Sequence, residues 1–432
     1  MKLSSSFFLN SFCSLGRFLC VVSILGVGGF PLIYPLGAQA EDNVSEEQPQ
    51  LTPEVGKVLE YAQKALEAKD GTQALQYVMQ ASQTPHTNAF DNYMIQRMRA
   101  AACTEKEDLG CAMSAYDSLL GNSQTQPEER KLMLAAVATL AYRSNEYQKC
   151  ENTALEYLHT VGYEATVASL SVQCPYVAEH WEDTIKAGET LSAVAEKTQN
   201  KIPEAALQMV AIAYGKLDKP QEERQTYLKL AGLYPNPHYW DFLLHEFMAD
   251  QKLPQRLRFS LMRLRLEAGS EMTPQEFQDM AELAVQMDVP SLALKLLQIG
   301  SDKKILGVGD SQELEKQKRF KSFVELQVYK AHRGINEAIV QARKASSAGA
   351  MLSTGYELAL EGHQDAGLTL MREGMRNHPN YPDIAELEYA MAEYDSGKKD
   401  SAIEDLGKIS GNGPAHGLGL LWQKQLQSQS GK

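Results

Sequence analysis

From residue 53 onward the apolar positions recur at i, i+3, i+4 and i+7. Val55, Val58, Leu59, Ala62, Ala65 and Leu66 show the spacing, as do Leu207, Val210, Ile212 and Tyr214, then Ala281, Leu283, Ala284 and Val285. That period places one apolar stripe on each helix, and strict alternation over a strand length is absent, so the pattern predicts an all-α chain. The helical segments run about 12–16 residues and end at short breaks. These are Lys69-Asp70-Gly71, Gln83-Thr84-Pro85, Asp218-Lys219-Pro220, Tyr234-Pro235-Asn236-Pro237, Asp288-Val289-Pro290, His332-Arg333-Gly334 and His378-Pro379-Asn380. Breaks this short make neighbouring helices antiparallel.

The helix pairs repeat at about 34 residues. A small residue is followed by an apolar or Tyr position, then by small, bulky and small positions at constant offsets. Ala281, Ala284, Ala293, Leu297 and Gly300 fit fully; so do Gly355, Leu358, Gly367, Met371, Gly374 and Pro379. Ala62, Ala65, Ala74, Val78 and Ala81 fit near the start, Ala138, Ala141, Cys150, Ala154 and Tyr157 next, and Tyr329, Ala338, Ala342 and Ala345 later. Ala211, Tyr214, Tyr227 and Pro235 fit, although Glu223 and Leu230 occupy positions that should be small. Small side chains let two helices approach closely, the bulky one fills the gap to the next pair, and proline ends the second helix. One such pair cannot bury its own apolar face, so pairs stack.

These residues resemble tetratricopeptide repeats over most of 53–410, as about nine or ten helix pairs. The resemblance implies an all-α, right-handed superhelical solenoid across 53–412. The glycines Gly411, Gly413, Gly417 and Gly419 read as the break before a capping helix and tail at 413–432. A bundle of another kind would have the helices but no reason to return to the same offsets. More loosely, Pro203–Gly300, with LAGLYPNPHYW at 230–240, resembles periplasmic tetratricopeptide proteins that accompany TonB–ExbB–ExbD energy-transducing systems. That likeness implies a non-catalytic accessory in outer-membrane uptake of iron complexes.

The first forty residues read differently. They hold Lys2 and Arg17, no acidic residue, an apolar run from Phe18 to Phe30, and Ala38-Gln39-Ala40 before the acidic Glu41-Asp42. This is the pattern of a secretory leader cleaved after Ala40. An uncleaved anchor is the rival reading, which Pro31 and Pro35 weaken by interrupting the run. No lipobox surrounds Cys13 or Cys20. Residues 41–52 are an acidic, flexible leader, and the protein is expected in the periplasm with no transmembrane segment after cleavage.

The full chain has 432 residues and a net charge of −13; losing Lys2 and Arg17 makes it −15. An acidic chain without a basic tail argues against nucleic acid. Four cysteines remain after cleavage, all within 100–175: Cys103, Cys111, Cys150 and Cys174. A clustered even set in an exported chain suggests disulfides. Antiparallel helices turning near 161–162 bring Cys150 level with about residue 173, hence near Cys174, while Cys103 and Cys111 flank the loop 104–110. Four buried thiols packing as small apolar groups are the alternative.

Little chemistry is visible. His238, Asp241 and His245 share one helix face but lack HExxH, so they read as helix surface or groove rather than metal ligands. Gly307-Val308-Gly309-Asp310 follows a helix rather than a strand and is no phosphate loop. No catalytic residue, metal, cofactor or small-molecule substrate is expected. Arg256, Arg258, Arg263 and Arg265, with Lys252, form the densest basic patch, either a solvated helix face or a dock for an acidic partner. In the solenoid register the groove positions are Gln208, Ile212, Tyr239, Phe242, Glu246, Gln278, Glu282 and Tyr356, with the aromatics as the best anchors. The expected function is a periplasmic protein-interaction scaffold, with the TonB–ExbB–ExbD complex as partner. Another envelope-assembly or polysaccharide-export machine is the second candidate. A helical-superhelix enzyme such as a lytic transglycosylase would need a catalytic domain, for which 413–432 leaves no room.

Overall fold

The computed structural model describes residues 50–430 other than His86 and Pro235; the segment expected to be a secretory leader, most of the expected acidic leader and the repeat position Pro235 lie outside the described residues. The described residues form twenty helices and no strand. Seven antiparallel pairs come first: α1 (Pro53–Glu67) with α2 (Gly71–Ser82), α3 (Ala89–Glu105) with α4 (Leu109–Leu120), and α5 (Pro127–Arg143) with α6 (Tyr147–Thr160). Then follow α7 (Ala165–Val177) with α8 (Trp181–Lys197), α9 (Glu204–Lys216) with α10 (Pro220–Leu233), α11 (Pro237–Ala249) with α12 (Gln255–Glu267), and α13 (Pro274–Gln286) with α14 (Pro290–Asp302). A single long helix, α15 (Ser311–Lys344), precedes α16 (Ala348–Leu360) with α17 (Gln364–Arg376) and α18 (Pro382–Asp395) with α19 (Lys399–Leu406), and α20 (Pro414–Ser430) ends the described chain.

The turns inside the pairs, that of α11–α12 excepted, share one construction. Lys69, Asn145, Asp218, Asp288 and Gly397 each sit at positive φ two residues past a helix end. The next N–H then reaches back to a carbonyl five residues earlier: Asp70 to Ala65, Glu146 to Ala141, Lys219 to Tyr214, Val289 to Ala284, Lys398 to Glu393. This closes the helix in a left-handed cap and reverses the chain in three residues. The small positions of the repeat are buried as their spacing predicts. Ala62, Ala74, Ala81, Ala138, Cys150, Ala154, Ala211, Ala281 and Ala293 have no exposed surface. In α16 and α17 the approach is closest, where Gly355 and Gly367 face each other backbone to backbone.

The hairpin expected around His332-Arg333-Gly334 does not form. Residues 311–344 are one helix of 34 residues, about 51 Å long. A lone glycine costs a helix about 1 kcal/mol but does not break it, and no proline follows to enforce a turn. Tyr329 and Ala338, read as repeat positions, are consequently exposed, and only Val324 and Ala342 of α15 are buried.

α1 packs on α3, α5 on α7 and α7 on α9, and later α16 packs on α14 and α18, so these pairs stack in layers. The stack does not stay open. α20 lies against α10 and α12, and Ile384, Leu387, Leu418, Trp422 and Leu426 share one core with Leu207, Leu243, Leu257 and Leu264. The end of the chain thus returns to its middle.

Candidate interaction surfaces

The return of the chain decides the fate of the arginines. Arg256 donates through Nη1 to both carboxylate oxygens of Glu388 at 2.6 and 2.7 Å. Arg263 donates to Asp395 at 2.7 Å and to the Tyr356 hydroxyl at 3.2 Å, and Arg265 to Glu276 at 2.6 Å. Burial alone would lower the Arg263 guanidinium, but Asp395 and Tyr356 outweigh it and hold it above its ordinary value. Only Arg258 of the four is left facing solvent, with one long contact to the Gln251 carbonyl. The basic patch is therefore not a docking face: three of its side chains tie α12 to α18, α16 and α13.

The same helix is held by other polar contacts. Trp422 Nε1 donates to Ser260 Oγ at 3.0 Å, the Tyr394 hydroxyl to Glu267 at 2.9 Å, and Gln425 to the Glu267 carbonyl at 2.8 Å. Between α12, α16 and α18 a void with room for about one water remains, lined by Arg256, Arg263, Tyr356 and Glu388.

Two of the three aromatic anchors are also internal. Tyr239 is buried; its hydroxyl donates to Glu204 and accepts from Gln208 Nε2 at 2.6 Å, so α11 is registered on α9. Burial and the Glu204 carboxylate push that phenol up to about 12. Tyr356 is buried against Asp395 and Arg263. Each is a groove position in the sequence pattern, but a tyrosine there satisfies its hydroxyl on the neighbouring helix instead of presenting it. The pattern recurs, with Tyr93 donating to Glu129 and Gln173 to Tyr142.

Phe242 remains open at 39% exposure and stacks on Tyr227 with ring centroids 3.9 Å apart. Ile212, one turn beyond Gln208, is 37% exposed. Glu246 pairs with Arg224 beside that stack, and Glu282 is exposed on α13. Tyr227, on α10, completes the patch; the groove register, which considers only first helices, overlooks it. Gln278 instead lines a cleft of about 200 Å³ between α13, α14 and the start of α15, with Leu297, Leu306 and Phe320. His238 and Asp241 approach to 3.6 Å, and Asp241 accepts from Ser270 at 2.9 Å. Cys103 pairs with Cys111 and Cys150 with Cys174, at Cα separations of 5.6 and 6.1 Å.

The fold is an all-α solenoid of tetratricopeptide-like helix pairs. No family model and no curated protein matches the chain. Among solved structures, MamA 41-end from Desulfovibrio magneticus RS-1 is similar over 43% of this chain and 97% of its own, at 12% identity and a TM-score of 0.29. Among the described residues no helix is long and apolar enough to cross a membrane.

Proposed function

We propose that the protein is a non-enzymatic, exported interaction scaffold whose partner is the TonB–ExbB–ExbD complex of outer-membrane iron-complex uptake. The observation that carries the scaffold reading is the open face of Phe242, stacked on Tyr227, with Ile212 of α9 and Met248 of α11 also exposed. A rigid aromatic held by stacking offers contact area at small entropic cost, which is how an interface anchor works. The partner and the compartment rest on the likeness of 203–300 to the periplasmic accessories and on the leader pattern of residues 1–40.

The test is crosslinked capture from envelope extract with the inner-membrane proton-channel proteins assayed directly. The Ile212→Ser/Phe242→Ser variant should keep its helical spectrum and lose capture. Capture that is unchanged in this variant removes the patch, and absence of the channel proteins from the wild-type capture removes the TonB assignment.

A further inference from the structure

α15 occupies the length of a whole repeat as one helix, so no second helix of its own covers its outer side. Phe323, Leu326 and Tyr329 stand there in succession, 46%, 49% and 56% exposed, with Val340 further along. At i, i+3 and i+6 they line one ridge, opposite the buried Val324. The helix carries eight basic and four acidic side chains in a chain of net −13. Arg319 pairs with Glu315 and Arg343 with Glu373. Lys316, Lys318, Lys321, Lys330, Arg333 and Lys344 have no carboxylate within ion-pair distance among the described residues. Of these, Lys330 and Arg333 lie in the ridge itself, and Lys318 and Lys321 flank its start at the rim of the α13–α15 cleft.

We infer that this ridge is a peripheral docking surface for an anionic lipid bilayer. The match is of charge and of shape. A partner helix would be seated by a groove between two helices, whereas α15 presents a single bare helix. A ridge of aromatic and leucine side chains among lysines is what enters a headgroup layer: the rings and the leucine sink below the phosphates while the ammonium groups stay level with them. The exposed Glu325 and Glu337 of α15 are outnumbered by its eight basic side chains, and salt screens the repulsion of acidic groups beyond a Debye length of about 8–10 Å. The helix lies flat on the surface in this arrangement and does not span it.

The test is co-sedimentation of the leader-free chain with vesicles of phosphatidylcholine alone and of phosphatidylcholine with phosphatidylglycerol. Binding is expected to the anionic vesicles only, and to fall at least tenfold between about 50 and 500 mM salt. Phe323→Ser/Leu326→Ser/Tyr329→Ser and, separately, Lys330→Glu/Arg333→Glu should each lose at least tenfold in binding. All five positions are exposed, so an unchanged helical spectrum and melting curve should accompany the loss. No partition onto anionic vesicles, equal partition onto the zwitterionic ones, or a folded ridge variant that binds like the wild type overturns the inference. Capture of an acidic protein through the ridge without vesicle binding overturns it too. None of these outcomes depends on the Phe242 patch.

Discussion

Arg263 and Asp395 are 132 residues apart in the chain and 2.7 Å apart in space, with side chains 8% and 3% exposed. Their pairing, with Tyr356 as a second acceptor for the guanidinium, joins the middle of the solenoid to its end. Removing one member of a buried pair leaves a desolvated charge, which costs about 3–5 kcal/mol, whereas replacing both with apolar groups is often nearly neutral. Asp395→Ala is expected to lower the unfolding free energy measured by urea titration by that amount, and Arg263→Met/Asp395→Leu to recover most of it. Equal losses in the single and double variants would show that the charge pair is not what holds α12 to α18.

Two glycines test the helix architecture in opposite directions. A Cβ on Gly367 would lie 2.4 Å from the Gly355 carbonyl oxygen and 2.6 Å from the Ala359 nitrogen, both backbone atoms that cannot swing aside. Gly367→Ala must push α17 off α16, and a loss of about 1–3 kcal/mol is expected. Gly334, inside α15, has nothing within 4 Å of the same position. Gly334→Ala is expected to gain up to about 1 kcal/mol, because the position is helical and unobstructed. Thermal unfolding reads both, and a loss at Gly334 would mean that 332–334 is a turn after all.

What could be read from the sequence was what is local. Apolar spacing gives each helix, and short breaks with proline give most of the pairs, because both depend on residues a few positions apart. The left-handed turn residues Lys69, Asn145 and Asp288 carry little of this in their identity, since caps of this kind favour glycine, and only the hydrogen bonds around them reveal the construction. Gly334 was misread because a glycine inside a helix and a glycine in a turn look alike in one sequence. The arginines of α12 look like a solvated face until Glu388 and Asp395, more than a hundred residues later, are folded onto them. Tyr239 and Tyr356 were legible as positions on a face but not as buried groups, because their acceptors lie on other helices.

The stability of the fold should fall as pH rises through neutrality. Burial pushes the Glu357 carboxyl up to about 7 despite hydrogen bonds from the Ser291 N–H and hydroxyl. Burial, with Asp405 nearby, does the same to Glu393. A folded pKa above the unfolded one means the folded chain holds protons that the unfolded chain has lost between about 4.5 and 7. The stabilisation is full below that window and is lost as pH rises through it. From pH 6 to pH 8 each group should cost roughly 1 kcal/mol. The melting temperature should therefore be higher at pH 6, and Glu357→Gln/Glu393→Gln should flatten the difference.

The two cysteine pairs should differ in what they contribute, because they close loops of different length. Cys150 and Cys174 are 24 positions apart and join α6 to α7, hence one helix pair to the next; Cys103 and Cys111 are 8 apart and cross a single turn. A crosslink acts mainly by restricting the unfolded chain, and the restriction grows with the logarithm of loop length. Chain-entropy arithmetic gives about 3.5 kcal/mol for the longer loop and about 2.5 kcal/mol for the shorter one. All of Cys103, Cys150 and Cys174 are buried, so reductant alone reaches them slowly and paired alanine variants are the cleaner probe. Cys150→Ala/Cys174→Ala should lower the urea midpoint more than Cys103→Ala/Cys111→Ala, with little change in the helical spectrum of either. Mass spectrometry of the unreduced, alkylated chain provides the independent check. Four alkylated thiols would mean that the cysteines pack as small apolar groups, and the two variants should then lose only what a missing sulfur costs a core.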